Sequence, residues 1–170
     1  MTTDLPEEVA RMVGVRQYRQ TGPLVVDVTT IRNACASVEN GNPLYWDEQL
    51  ATELAGSPVA PQAMVSAWTR PFHWTPDPSE PSLPLQVHFD LKEALGFPEA
   101  IMSSDELVFH EPVRVGDRLT STQVLLSVSE EKTTAVGRGR FWNIAVEYRN
   151  QDDLLCCREV IAGFGYRRAA

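Results

Sequence analysis

Residues 62–69 read QAMVSAWT, and every residue between the first and the last is apolar or small. A helix of this composition has no polar face, which is typical of a helix that is buried on all sides. Arg70 and Pro71 end the stretch, because a proline ring cannot continue a helix. The sequence therefore predicts a central buried helix, around which the rest of the chain has to be arranged.

The second half of the chain carries strand patterns. Residues 134–148 form the longest strand candidate, and apolar side chains of one parity mark its buried face: Val136, Trp142, Ile144, Val146 and Tyr148. The polar run at residues 150–153 predicts a hairpin loop, and residues 154–166 predict the returning last strand. Gly163 and Gly165 share a face of that strand, where we expect another element to approach closely.

The first half predicts helices and one long loop. Residues 1–21 are expected to form a helical N-terminal extension. A second helix begins after a threonine cap and has apolar residues at helical spacing, which are Ile31, Ala34, Cys35 and Val38. Asp47 can cap a third helix, which Gly56 ends in the left-handed conformation. Residues 71–86 are rich in proline and predict an irregular loop, and residues 91–95 predict a helical turn.

These elements predict an α+β fold. An antiparallel sheet with one apolar face needs a cover, and the helix at residues 62–69 is the obvious candidate to lie on it. This is the arrangement of a hot-dog fold, a curved antiparallel sheet wrapped around a central apolar helix. With 170 residues the chain is long enough for one domain with a sizeable core, so we expect residues 1–170 to form a single domain.

Composition and charge exclude several classes of function. An apolar fraction of 43% and a charged fraction of 22% exclude wholesale disorder. The net charge of −8 argues against a nucleic-acid-binding protein, which needs a basic surface. No apolar run is long enough to span a membrane, and we expect neither a secretory signal nor a membrane contact, so the predicted location is the cytoplasm. Three cysteines without metal-ligand spacing predict neither a disulfide framework nor a metal site.

Three motifs carry a resemblance to a known family. They are NPLYWD at residues 42–47, the Ala60-Pro61 step before the apolar helix, and FHEPVRVGD at residues 109–117. Together they resemble the MaoC-like hot-dog family of (R)-specific enoyl-CoA hydratases and 3-hydroxyacyl dehydratases, over about residues 22–167. In active members of that family an Asp-x-Asn-Pro-x-His pattern supplies the aspartate and histidine that hold and activate the water added to the enoyl double bond.

The two reactive positions of that pattern are altered here. Asn40 occupies the position of the aspartate and Tyr45 that of the histidine. An amide cannot act as a base, and a tyrosine is too weak an acid and base at neutral pH to replace histidine easily. Glu39 is a possible shifted carboxylate. The resemblance therefore implies a degenerate subunit, for which Asn42, Pro43, Ala60, Met64 and Trp68 are the expected substrate-binding residues.

The function implied by this resemblance is that of a subunit in a hetero-oligomeric 2-enoyl-CoA hydratase, a lyase of lipid metabolism. A catalytic MaoC-like hot-dog partner would supply the aspartate and histidine, while this chain shapes the pocket for a bulky acyl-CoA such as a steroid side-chain thioester. No cofactor is expected, since the coenzyme A thioester is the substrate. Two alternatives stay open: a homodimeric dehydratase or thioesterase that acts by itself, and a non-enzymatic module that binds acyl-CoA or lipid.

Other polar residues have a structural interpretation. We expect His73 and His88 to be surface or loop residues beside the proline-rich loop, and His110 to be structural. Arginines near the strand ends, Arg138, Arg140, Arg167 and Arg168, either contact the phosphates of coenzyme A or form a solvated strand face.

Overall fold

The computed structural model describes residues 5–72, 74, 76 and 84–168. In these ranges the strands are β1 (Arg16–Thr21), β2 (Glu99–Phe109), β3 (Thr120–Val128), β4 (Lys132–Thr134), β5 (Gly137–Arg149) and β6 (Leu155–Arg167). The α-helices are α1 (Glu7–Met12), α2 (Val28–Ser37), α3 (Glu48–Ala55) and α4 (Gln86–Ala94). Two 3-10 helices are η1 (Pro43–Tyr45) and η2 (Gln62–Trp68).

The strands form one antiparallel sheet in the order β1-β3-β5-β6-β2, with β4 paired to the start of β5. The long strands β5 and β6 lie in the middle and pair from Arg138 opposite Arg167 to Arg149 opposite Leu155. The predicted hairpin loop joins them, and the predicted parity is confirmed, because Trp142, Ile144, Val146 and Tyr148 are buried. Val136 is the exception: it is exposed, because it lies in the turn before β5.

Helix α4 is the helix that packs on the apolar face of the sheet. Its Val87 N–H donates to the Gln123 side chain of β3 at 3.0 Å, and its His88 ring lies 5.4 Å from the ring of Trp142 in β5. Val87, His88 and Leu91 are buried. The prediction of a single helical turn at residues 91–95 was too short, and the expectation that His88 lies in a loop or at the surface was wrong.

The central-helix prediction for residues 62–69 was also wrong. These residues form the 3-10 helix η2, in which Val65 and Trp68 are buried while Ala63 and Ala67 are exposed. A 3-10 helix has three residues per turn, so residues three apart lie on the same side and only one side faces the core. Small residues permit all-round burial, but they do not require it.

The predicted helical extension at residues 1–21 is correct only in part. Helix α1 lies within it, whereas Arg16–Thr21 is an edge strand, β1, paired with β3. Of the proline-rich loop predicted at residues 71–86, the described residues before Gln86 lie outside helices and strands, and Gln86 already begins α4. The rest of that loop, including His73, lies outside the described residues.

The glycines of β6 behave as predicted. A Cβ atom on Gly163 would lie 2.6 Å from Nε1 of Trp142, and one on Gly165 would lie 2.2 Å from the far end of the same ring. The indole of β5 therefore lies flat against the neighbouring strand, which only glycine at both positions permits.

Candidate functional site

Residues 39–47 form a loop that is held together by its own polar groups. The Asn40 N–H donates to the carbonyl of Cys35 at the end of α2, at 2.8 Å. Asn42 caps η1 by accepting from the Leu44 N–H at 3.0 Å. Asp47 caps α3 as predicted, accepting from the N–H groups of Gln49 and Leu50. The loop therefore has a defined conformation that does not depend on a ligand.

Asn40 supports this loop from both its side chain and its backbone. Its amide oxygen accepts from the Asn42 N–H at 3.1 Å, and its carbonyl accepts from the indole N–H of Trp46 at 2.8 Å. The amide oxygen thus has a structural partner at the position where the active enzymes of the resembled family place a base.

Tyr45 and Glu39, the other two candidate residues, lie in different surroundings. Tyr45 is half-buried against the core, and burial, together with the nearby Cys35, raises its pKa. Its hydroxyl therefore stays protonated at neutral pH and cannot accept a proton as a base. Glu39 is exposed and has a left-handed backbone, with φ at 55°. Glu39, Asn40 and Tyr45 are thus neighbours in one loop, and Asn40 is held there by the hydrogen bonds of its side chain and backbone.

The expected substrate-binding residues are divided between two places. Asn42 and Pro43 are exposed in the loop, whereas Ala60 and Trp68 are fully buried. The Ala60 N–H donates to the carbonyl of Val113 at 2.9 Å, which ties the start of η2 to the segment before β3. Met64 is half-buried against the core.

A cavity of about 140 Å³ lies between η2, the N-terminal end of α4 and strands β1, β3, β5 and β6. None of the predicted substrate-binding residues lines it. Apolar side chains of β5 and β6 and residues next to the proline-rich loop form part of its wall, and Arg70 contributes a guanidinium. Its other polar lining residues are Gln20, Ser66, Thr69, Ser121, Tyr148 and Glu159.

Tyr148 and Glu159 form a buried polar pair in this cavity. They lie on adjacent strands, and the Tyr148 hydroxyl donates to a Glu159 carboxylate oxygen at 2.5 Å. The side chains are almost inaccessible, with 4% of Tyr148 and 8% of Glu159 exposed. Burial raises the pKa of Glu159, and the neighbouring carboxylate of Asp105 raises that pKa further. Burial and the charge of Glu159 raise the pKa of Tyr148, so the hydroxyl keeps its proton.

Sequence reasoning missed this pair, although a signal was present. In the last strand, Cys157, Glu159 and Ile161 share one parity, so a carboxylate occupies a position of the apolar face. A charged residue at such a position is unusual and indicates a specific partner or a function. Ser66 and Thr69 were missed because their stretch was expected to be buried all round.

The arginines considered for phosphate contact are engaged with the protein. Arg138 pairs with Glu131, and Arg168 with Glu99 at 3.2 Å. Arg167 donates to the carbonyl of Leu95 at 3.2 Å, and its guanidinium lies over the ring of Phe97. A contact of these arginines with coenzyme A stays a prediction.

Metal sites and membrane spans were sought in the described part of the chain. There, no group of three or more His, Cys, Asp or Glu side chains is placed to hold a metal ion. Burial raises the pKa of the Cys156 and Cys157 thiols to about 11, which keeps them protonated. No helix among the described residues is long and apolar enough to cross a membrane.

Comparison with known protein families shows which family the chain matches and which proteins it resembles. Residues 11–158 match the family described as "FAS1-like, dehydratase domain region". A probable enoyl-CoA hydratase alpha subunit of Thermomonospora curvata is 31% identical over 128 residues, which cover 74% of this chain and 40% of that protein. The 3-oxo-4,17-pregnadiene-20-carboxyl-CoA hydratase alpha subunit of Mycobacterium tuberculosis is 28% identical over 130 residues, covering 75% and 41%. The chain thus spans about two fifths of the length of these relatives.

Solved structures share the fold. A chain of the ChsH1-ChsH2 complex from Mycobacterium tuberculosis superimposes with a TM-score of 0.80 at 22% identity, covering 96% of this chain and 92% of that one. The (R)-hydratase from A. caviae that is involved in PHA biosynthesis gives a TM-score of 0.56 at 18% identity, with 89% and 94% covered. The predicted α+β hot-dog fold is confirmed. The chain therefore belongs to the FAS1-like dehydratase domains, of the MaoC type.

Proposed function

We propose that this chain is the non-catalytic subunit of a hetero-oligomeric 2-enoyl-CoA hydratase, in which a MaoC-like hot-dog partner supplies the catalytic aspartate and histidine. The observation that carries the proposal is the state of the altered motif. The Asn40 amide oxygen accepts a hydrogen bond within its own loop, and the raised pKa of Tyr45 keeps its hydroxyl protonated. The loop is held by its own hydrogen bonds, and neither residue offers a group that could activate water as a base.

Two comparisons support a heteromeric assembly. Both curated relatives are named as alpha subunits of hydratases, and the structure that superimposes at a TM-score of 0.80 is a complex of two named components. One of these relatives is named for a steroid-derived carboxyl-CoA. We infer that the substrate here is likewise a bulky enoyl-CoA and that the coenzyme A thioester requires no further cofactor.

Strand β2 is the surface that we propose for the partner. It lies at the edge of the sheet, is 11 residues long, and is exposed over most of its length. Exposed apolar side chains occur along it: Ile101, Met102, Val108 and Phe109. A long, exposed and apolar edge strand presents unpaired backbone groups that favour pairing with another chain. We expect an interface above about 1,000 Å², the size of a specific complex.

No comparable observation supports the two alternatives, which are an enzyme that acts by itself and a module that only binds acyl-CoA or lipid. A hydratase or thioesterase that acts by itself needs a base, and Glu39 is an exposed residue on the left-handed turn after α2. A module that only binds acyl-CoA has no need to retain the Asn-Pro loop of a hydratase. Both give distinct results in the assay below.

The test is a hydration assay with the chain alone, a catalytic hot-dog protein alone, and the co-expressed pair. We expect enoyl-CoA hydration by the pair and none by this chain alone. In the pair, Asn40→Ala or Tyr45→Ala should lower the rate by about tenfold or less, because neither group transfers a proton. The matched control is removal of the partner's aspartate or histidine, which should cost about a hundredfold or more.

Full activity of this chain alone, at the specific rate of the pair, would contradict the proposal and favour the homodimeric enzyme. A hundredfold loss at Asn40 or Tyr45 would show that this subunit carries part of the chemistry. Binding of enoyl-CoA without hydration by any combination would favour the binding module.

A further inference from the structure

The cavity beneath η2 has a wall that is unusually polar for the apolar face of a sheet. Each of the four strands that contribute to it presents a polar side chain there: Gln20 of β1, Ser121 of β3, Tyr148 of β5 and Glu159 of β6. Ser66 and Thr69 of the η2 segment face the same space. The Tyr148 hydroxyl pairs with Glu159 and the Thr69 hydroxyl with the Ser66 carbonyl, and an oxygen-bearing ligand can add hydrogen bonds to such a wall, whereas a hydrocarbon ligand adds none.

The charged groups around the cavity limit the charge that a ligand can carry. Asp105 and Arg70 both lie near Glu159, where the carboxylate of Asp105 raises the pKa of Glu159 and the guanidinium of Arg70 lowers that pKa. An anionic ligand would lie near the carboxyl group of Glu159. A cationic ligand would lie near the guanidinium of Arg70. A neutral oxygen, either hydroxyl or carbonyl, avoids both conflicts.

The size of the cavity limits the part of a ligand that it can hold. Its volume is about 140 Å³. A cavity of roughly 150 Å³ is large enough for a molecule the size of benzene. The space therefore suits one six-membered ring, or an aliphatic segment of similar volume, and not a whole polycyclic acyl group.

We propose that this cavity is a subsite for the distal end of the acyl group, and that it selects a ring or short segment bearing a neutral hydroxyl or carbonyl oxygen, which hydrogen-bonds to the Tyr148–Glu159 pair. As a statement about the acyl group, the proposal rests on the function proposed above. A ligand hydroxyl can bridge the pair, accepting from the Tyr148 hydroxyl once that O–H turns from Glu159 and donating to a Glu159 oxygen. A ligand carbonyl can accept from the turned Tyr148 hydroxyl, or from Glu159 when Glu159 is protonated.

The test uses two small probes of equal shape that contain no thioester. Cyclohexanone and methylenecyclohexane differ only in an oxygen that replaces a CH₂ group. Both are titrated into the isotope-labelled full chain, and binding is followed by the backbone NMR signals of Thr69, Leu85 and Ile161, which line the cavity. The quantity compared is the ratio of the two dissociation constants, because this ratio cancels the difference in protein stability between variants.

In Tyr148→Phe and in Glu159→Met, the preference for cyclohexanone should fall by about tenfold, the effect of one lost hydrogen bond. The matched control is Tyr166→Phe, which removes the same atom from a buried tyrosine that does not line the cavity and should leave the ratio unchanged. Two variants on different strands keep the test available if one of them fails to fold.

A ratio that stays within about twofold in a folded variant, or a wild-type chain whose cavity signals respond to neither probe, would overturn the subsite. Because the probes undergo no hydration, this outcome is independent of the hydratase assay. A co-expressed pair that fails to hydrate enoyl-CoA would contradict the proposed function, yet leave the oxygen preference of the cavity as measured.

Discussion

Residues 40 and 45 lie in a loop whose conformation depends on other residues than these two. The backbone of the loop is held by Asn42 and Asp47, which cap the helices on either side through backbone N–H groups. These caps do not require a base at position 40 or an imidazole at position 45. An amide at position 40 and a phenol at position 45 are therefore compatible with the ordered loop, as the proposed function requires.

The buried residue His88 is expected to make the stability of the protein depend on pH. Burial, with a smaller contribution from Lys92, lowers its pKa below the ordinary 6.5, and its Nδ1 atom has no hydrogen-bond partner among the described residues. The unfolded chain takes up a proton at this residue as the pH falls through about 6.5, whereas the folded chain does not. Stability from the neutral ring is therefore fully present above that pH and is lost as the pH falls toward the lowered pKa.

We expect the melting temperature to fall between pH 7.5 and pH 5.5, and His88→Phe to reduce that fall, as measured by circular dichroism. His110→Gln is the control, since His110 is exposed just after β2 and should leave the pH dependence as in the wild type. An unchanged fall in His88→Phe would show that other groups cause it.

Among the helices, η2 and α4 each cover a different part of the sheet. Helix α4 faces β3 and β5, while η2 contacts β6 and places Ser66 and Thr69 over the cavity. A 3-10 helix suits this position because its buried side is narrow, leaving the polar residues beside that side free to face the cavity. The anchor of η2 is Trp68, which is fully buried.

Trp68→Ala should lower the free energy of unfolding by roughly 3 kcal/mol, the usual cost of truncating a large buried aromatic side chain. Chemical denaturation of the purified variant measures this loss. Leu54→Ala on α3 is the matched control, because Leu54 is exposed and its truncation should change stability by about 0.5 kcal/mol or less. If both variants unfold like the wild type, η2 does not anchor to the core.

For the whole molecule, the sheet order leaves two edges of unequal character. Strand β1 has six residues, whereas β2 has 11 residues and exposed apolar side chains near both of its ends. The pairing of each strand with its neighbour contains a register shift. Natural proteins protect such edges by charge, bulges or a cover. The long apolar edge at β2 is therefore the expected site of assembly with the catalytic partner.

Val108→Lys should weaken the complex with the catalytic partner by at least about tenfold, because a lysine on an edge strand opposes pairing and is costly to bury. Size-exclusion chromatography with light scattering measures the complex. Val136→Lys provides the control: Val136 is exposed to a similar extent, 45% against 42%, but lies in the turn before β5. If both variants weaken the complex equally, or if neither variant weakens it, the interface does not lie at β2.

The features that the sequence determined by itself are those with a local physical cause. The parity of Trp142 to Tyr148, the hairpin after β5 and the cap at Asp47 each depend on residues a few positions apart. The two glycines of β6 were recognised because a missing side chain in a strand makes room for a neighbour. The alteration at Asn40 and Tyr45, by contrast, is implied by the family resemblance and stays a prediction.

Only the tertiary structure decided which helix covers the sheet, that residues 16–21 pair with β3, and that Ser66 and Thr69 share a cavity with Tyr148 and Glu159. Residues 62–69 are compatible with burial on all sides or on one, and the 3-10 geometry of η2 turns only one side to the core. The cavity joins segments that are more than 80 positions apart in the chain, from Ser66 to Tyr148. Such contacts arise from packing between elements, and a local sequence pattern cannot predict them.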